Sequence, residues 1–167
     1  MGTDVLLRPA ASADVADIQR VADASWHAVY DDILGSDAVD EMLEEWYGDD
    51  AIESGVTHEV QDFFVAVRDE TVVGYAHAGP HPPKRVYRLY RLYVHPDDWR
   101  SGIGRQLLAE VEQALYEEDV TMYEATVLAD NDVATAFYES VGFEVVEQGE
   151  TELAGVTADE LIYRKRI

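Results

Sequence analysis

The stretch "LYRLYVHPDDWRSGIGRQLLAEVEQAL", residues 89–115, changes its structural period halfway. Leu89 to Val94 belong to a strand-like run rich in Tyr, Leu and Val that begins at residue 85. His95-Pro96 ends it, because proline has no amide to give a ladder. From Ile103 onward, Leu107, Leu108, Val111 and Leu115 recur at helical spacing. Arg105, Gln106, Glu110, Glu112 and Gln113 take the opposite face. Gly102 and Gly104 stand where that helix begins, although glycine carries an entropic penalty in any ordered segment. A helix N-terminus presents unpaired N–H groups and a partial positive charge, and it stabilises phosphate. A residue without Cβ lets a ligand come close. Strand, glycine turn and helix therefore read as a phosphate cradle over Ile103 to Leu107, with an ordinary tight turn as the plain alternative.

The chain around this stretch has 167 residues, 47% of them hydrophobic. That suits one folded domain spanning 1–167 with a substantial core. No run approaches the roughly 18 apolar residues of a membrane span, and "MGTDVLLRPAASADV" lacks the basic and apolar regions of a secretory signal. With no cysteine, disulfides, thiol nucleophiles and thiolate metal sites are excluded, which fits a cytoplasmic protein. Acidic residues number 35 against 12 basic ones, a net charge of −23, which opposes nucleic-acid binding. The carboxylates are dispersed, and only Lys84 and Lys165 are lysines. This resembles the acidic surface of proteins from salt-loving microbes, where salt screens self-repulsion; the alternative is attraction of basic partners. Six cations, Lys84, Arg85, Arg88, Arg91, Arg100 and Arg105, fall within one short segment around the cradle.

Along the chain, "DVLLRP" (4–9) reads as a first strand and Ser12 or Asp14 as a helix cap. Val15, Ile18, Val21, Ala22, Trp26 and Val29 mark a helix, and residues 36–48 a second, shorter one. Residues 49–60 are polar and read as loop or a ragged helix end. "FFVAVRDETVVGYAHAG" (63–79) reads as a hairpin turning at Arg68-Asp69-Glu70, and "PHPPK" (80–84) as a loop. After the 85–115 unit come a strand (120–128), a helix opened by Asp130 or Asn131 and closed by Gly142, and two last strands. The order β-α-α-β-β-β-α-β-α-β-β is that of a mixed α/β domain whose later part looks like crossover units.

Two phosphate motifs do not fit. A P-loop requires four residues between its glycines and a Lys-Ser or Lys-Thr afterwards, whereas Arg105-Gln106 follows Gly104. The dinucleotide fingerprint requires a third glycine where Leu107 stands. Instead, residues 89–115 resemble the acetyl-CoA-binding core of the GNAT superfamily of N-acetyltransferases. "NDVATAFYESVGFE", with Asn131, Ala134, Phe137, Tyr138, Gly142 and Phe143, is similar to that family's second motif. "RPAASADVADIQRVADASWHAVYDDIL", with Ser25-Trp26 and Tyr30, resembles its first strand and helix. The likeness covers nearly the whole chain. One position departs: Trp99 occupies the family's Gln/Arg site, and Arg100 comes one place later.

The resemblance implies a mixed, mostly antiparallel central sheet of about six or seven strands flanked by about four helices. It implies transfer of the acetyl group of acetyl-CoA to a primary amine of a small molecule or peptide, by direct attack on the thioester and without a metal. By that likeness Leu92, Tyr93 and Val94 would pair with the pantetheine arm. Arg100, Ser101, Gly102, Ile103, Gly104 and Arg105 would hold the pyrophosphate. Tyr138 would protonate the leaving sulfur, the alternative being an aromatic packed beside Ala134. Asn131 would cap its helix, touch the cofactor, or both. An alkyl amine with a pKa near 10.4 must lose a proton before attack. The family's usual glutamate is Arg88 here, so Glu124 is the candidate base, with His77 and His81 as alternatives. Trp26 and Tyr30, with Trp46, are candidate acceptor-pocket walls or core residues. A homodimer is compatible with the sequence. The rival reading is a non-catalytic acyl-CoA-binding sensor or regulatory protein.

Overall fold

The computed structural model describes residues 4–81 and 86–167. β1 (Leu6–Pro9) leads through a 3₁₀ turn (Ser12–Asp14) into α1 (Val15–Leu34). Asp14 accepts the Ala11 amide at 2.8 Å and clamps Arg8 at 2.7 and 2.9 Å, tying the strand exit to the helix start. Gly35, at φ 90°, breaks the chain between α1 and α2 (Ser36–Trp46). A third helix, α3 (Asp49–Thr57), occupies the region expected to be loop or a ragged helix end. Its apolar content is thin, but Ile52 is fully buried and Asp49 and Asp50 favour its N-terminus. The described residues therefore hold five α-helices around the expected mixed sheet.

β2 (Asp62–Arg68) and β3 (Thr71–His81) form the expected hairpin, with Asp69 and Glu70 at φ 52° and 65°. That is the backbone pattern of a two-residue turn matched to strand twist. β3 runs to His81, so part of the proline-rich segment is strand rather than loop. Pro80 pairs with Tyr87 but stands beyond the last β2 partner of β3, Ala78. Its missing amide therefore breaks no bond to β2. Pro82, Pro83, Lys84 and Arg85 lie outside the described residues.

β4 (Val86–Val94), α4 (Ile103–Glu117) and β5 (Met122–Leu128) make a parallel crossover. α5 (Asp132–Ser140) follows, then β6 (Glu144–Leu153) and β7 (Val156–Arg166). β6 does not pair with β5: β7 lies between them, antiparallel to both, so the second expected crossover unit is not a parallel pair. The sheet has seven strands in the order β1-β2-β3-β4-β5-β7-β6, antiparallel except at β4–β5.

Alternation along the strands divides the core into two layers. Phe63, Val65 and Tyr75 face α1–α3, joining Ile18, Trp26, Met42 and Ile52. Ala66, Ala76 and Ala78 face the other way, joining Leu107, Val111 and Leu115 of α4, and Tyr138 of α5.

Two irregularities shape the functional region. β4 and β5 pair over three positions only, ending at Leu89–Ala125. Beyond that point the strands part, and the second half of β4 has no strand on its β5 side. The β3–β4 ladder also slips, so that Ala78 faces Leu89 while His77 faces Arg91. Tyr90 is the extra residue of this bulge, and Tyr90 and Arg91 consequently line the same cavity.

Candidate active site

The gap between β4 and β5 opens into a cleft of about 630 Å³, walled by β4, the loop to α4, the start of α4, α5 and one side of α1. Leu92, Tyr93, Val94, Arg100, Gly102, Ile103, Gly104, Arg105 and Asn131, all picked out from sequence, line it, and so does Tyr138. Ser101 does not; its hydroxyl is turned away to donate to the Asp98 carbonyl at 2.5 Å.

The two glycines do different work. Gly102 takes φ 85° at the start of α4, with open space where a Cβ would stand. Gly104 is there for approach: a Cβ on it would sit 3.2 Å from the Phe137 ring, so it sets how closely α4 lies against α5. Arg100, with φ 64°, shares the left-handed turn. Trp99 secures the loop by donating its indole N–H to the Val94 carbonyl at 2.8 Å. The residue departing from the family pattern therefore ties the loop to the end of β4.

The electrostatics at the start of α4 set it apart. α1, α2, α3 and α5 each carry an aspartate in the first turn, as a helix dipole favours. α4 carries none, and no side chain caps it. Arg100 and Arg105 line the cleft, together with Asp98, which is paired with Arg68, and Asp132 of α5. A helix N-terminus of this kind favours an anion. Of the six cations expected around the cradle, Arg100 and Arg105 are the ones among the described residues that line it. Arg91 faces a different cavity, Arg88 does not line the cleft, and Lys84 and Arg85 lie outside the described residues.

Tyr138 is buried at the cleft, and burial, reinforced by Tyr30, pushes its hydroxyl well above the ordinary tyrosine range. It is therefore protonated at neutral pH. Asn131 serves two contacts: its oxygen accepts the Ala134 amide at 3.0 Å, and its nitrogen donates to the Tyr30 hydroxyl at 3.3 Å.

A second cavity of about 280 Å³ lies on the α1–α2 side, with Trp26, Tyr30, Trp46 and Tyr47 among its walls. Tyr93 lines both spaces. Trp26 and Tyr30 are thus placed at this second cavity, with Trp26 centroids 4.7 Å from Tyr30 and 5.6 Å from Tyr93.

Glu124, the base expected from sequence, lines neither space. It is buried, and Arg164 directs two N–H groups at its Oε2, at 3.0 and 2.6 Å. The face it shares with Thr126 and Leu128 does reach the second cavity, but through those two residues. His77 is also occupied: its Nδ1 accepts from Arg91 at 2.8 Å and its Nε2 meets Gln61 Oε1 at 2.7 Å. Burial first, and the Arg91 charge second, lower its pKa to about 3. Sequence reasoning missed Glu160, which lines the second cavity with its side chain free of hydrogen bonds and ion pairs among the described residues. Its position near the end of the chain carries no local motif, and only the β5–β7 register, with Glu160 opposite Leu128, brings it there.

Similarity to known proteins agrees with this geometry. The chain is 27% identical over 161 residues to the Bacillus subtilis protein named uncharacterized N-acetyltransferase YuaI, covering 94% of this chain and 90% of that one. It is 24% identical to the spermidine N(1)-acetyltransferase of Thermoplasma acidophilum, over 83% of this chain and 88% of that one. Its fold matches the crystal structure of the PaiA N-acetyltransferase of T. acidophilum in complex with coenzyme A, with a TM-score of 0.86 at 22% identity, over 98% and 99% of the two chains. The Escherichia coli ribosomal-protein-S18-alanine N-acetyltransferase shares the fold at a TM-score of 0.75 and 19% identity, over 98% and 94%. Residues 23–143 match the Acetyltransferase (GNAT) family, and the chain belongs to that family.

Proposed function

We propose that the chain is an acetyl-CoA-dependent N-acetyltransferase that binds its cosubstrate in the larger cleft and its amine acceptor in the smaller cavity. The observation that carries this reading is the meeting of the two spaces at Tyr93, with the carboxylate-free start of α4 at one of them. The α4 amides, with Arg100 and Arg105, receive the pyrophosphate. The open β5 side of Leu92 to Val94 gives the pantetheine arm a strand edge to pair with. A backbone amide of the same segment is available to the carbonyl oxygen as charge develops on it.

The chemistry follows by proton balance. The acceptor ammonium first gives up a proton, for which Glu160 is the unpartnered carboxylate of the acceptor cavity. The amine nitrogen then attacks the thioester carbon and forms the C–N bond. The tetrahedral intermediate collapses with cleavage of the C–S bond. Tyr138 donates its proton to the leaving sulfur and regains one, through solvent, from the newly acylated nitrogen. A leaving thiol of pKa near 8.5 makes that acid helpful rather than obligatory.

Calorimetry with coenzyme A and thiol release from acetyl-CoA with a panel of primary amines test the reading. Saturable coenzyme A binding with amine-dependent thiol release is expected. Binding without release from any amine would favour a non-catalytic acyl-CoA sensor, and absence of both would remove the proposal.

A further inference from the structure

The acceptor cavity holds a cation that the chain leaves without an acidic partner. Arg8, Arg20, Arg68, Arg164 and Lys165 each meet a carboxylate. Arg91 meets none among the described residues, a state it shares with Arg88, Arg100, Arg105 and Arg166, but of these five only Arg91 lines this cavity. Its guanidinium is nevertheless held in place. It lies 4.8 Å over the Tyr47 ring and donates to His77 Nδ1 at 2.8 Å and to the Trp46 carbonyl at 2.7 Å. Both acceptors are neutral: one is a backbone carbonyl, and His77 is kept unprotonated by burial and by Arg91 itself. The fixed positive charge is therefore oriented but not compensated, and of five guanidinium N–H groups these two bonds use two. The β4 bulge is what points Arg91 into the cavity together with Tyr90.

The same cavity contains the opposite charge. Glu160 lines it, its side chain without a hydrogen bond or ion pair among the described residues. The same cavity is also lined by Trp26, Tyr30, Trp46 and Tyr47, whose ring faces suit an apolar body or an ammonium. The cavity, at about 280 Å³, is at the small end for an organic ligand. A polyamine would set one of its positive charges against Arg91, whereas a small zwitterion satisfies both ends.

Building on the transferase reading above, we propose that the acceptor is a compact α-amino acid with an apolar or aromatic side chain, its carboxylate held by Arg91 and its ammonium directed to Glu160. Arg91 is thus the specificity-determining residue of the acceptor site.

The test compares L-phenylalanine with phenethylamine, which has the same skeleton without the carboxylate, and with spermidine, by thiol release from acetyl-CoA. L-Phenylalanine should exceed phenethylamine in kcat/KM by at least about tenfold, since a site built around a polar group discriminates against an analogue lacking it. Arg91→Gln should raise KM for L-phenylalanine by about tenfold or more and leave kcat/KM for phenethylamine within about twofold. Arg91→Lys should recover part of the loss, and coenzyme A affinity by calorimetry should stay constant in both variants, which reports a folded protein. Equal or better turnover of phenethylamine or spermidine would overturn the proposal, as would an equal loss for all acceptors in Arg91→Gln. If no amine releases thiol, the transferase reading fails, and calorimetry on the coenzyme A-loaded protein decides this one separately. L-Phenylalanine binding that is absent for phenethylamine and lost in Arg91→Gln sustains it; binding of neither, or of both alike, overturns it.

Discussion

Asn131 and Tyr30 stand 101 residues apart in sequence and share a buried hydrogen bond of 3.3 Å. Tyr30 in turn meets the Tyr93 hydroxyl at 3.0 Å, so α1, the start of α5 and β4 are linked where the two cavities adjoin. Because Asn131 also caps α5, Asn131→Ala removes a cap and strands a buried hydroxyl contact together. A loss of about 1–3 kcal/mol in unfolding free energy is expected by urea titration. Asn131→Asp keeps the cap acceptor and should recover part of that loss.

The two glycines of the cradle should separate on substitution. Gly104→Val brings a side chain against the Phe137 ring and forces α4 and α5 apart at the cleft. Coenzyme A affinity by calorimetry should fall by about tenfold or more, since the lining residues of both helices move. Gly102→Ala meets no neighbour but strains a backbone at φ 85°. It should lower stability by about 1–2 kcal/mol with a smaller effect on affinity. Equal affinity losses would mean that contact with Phe137 is not what Gly104 protects.

Tyr138→Phe keeps the ring that packs at 5.0 Å against Phe143 and removes only the hydroxyl. Turnover should drop by about tenfold to a hundredfold while coenzyme A affinity holds. Parallel loss of both would assign the residue to packing.

His27 joins α1 to α2. Its Nδ1 lies 2.6 Å from Asp31, and its Nε2 lies 2.8 Å from Asp40 and 3.8 Å from Asp23. Burial lowers its pKa, but the aspartates outweigh that and the net shift is upward. A raised folded value means the contribution is fully present below the unfolded pKa of about 6.5 and is lost as pH rises through the folded value. Wild-type stability should therefore decline from pH 6 toward pH 9 relative to His27→Gln, measured as the difference in urea midpoints. Parallel profiles would show that the imidazolium does not stabilise the α1–α2 junction.

The exposed edge strand β6 carries Glu144, Glu147, Glu150 and Glu152. With a net charge of −23, the folded chain repels itself. Raising potassium chloride from about 0.1 M to about 1 M shortens the screening length from roughly 10 Å to roughly 3 Å and should raise Tm. A flat or falling Tm would argue that the acidity serves partner attraction instead.

Much of the fold is legible in local pattern. The α4 face, the α5 cap at Asn131, and the hairpin turn at Asp69-Glu70 each depend on residues close in sequence, and each forms where expected. Helix α3 was hidden because its burial rests chiefly on Ile52 and Gly55, too few apolar positions for a visible period. Glu124 shows the limit for sites: strand alternation identifies its face, but the neighbour that engages it, Arg164, lies 40 residues away on β7.

The order of the strands and of the helices other than α3, and the glycine turn that opens α4, were determined by the sequence alone, because helix and strand periods and backbone permissiveness act over a few residues. Which cations meet which cavity was decided only by the tertiary structure. A single extra residue in β4 puts Arg91 at the second cavity rather than at the cradle, and alternation along a strand cannot register a slip set by its partner strand.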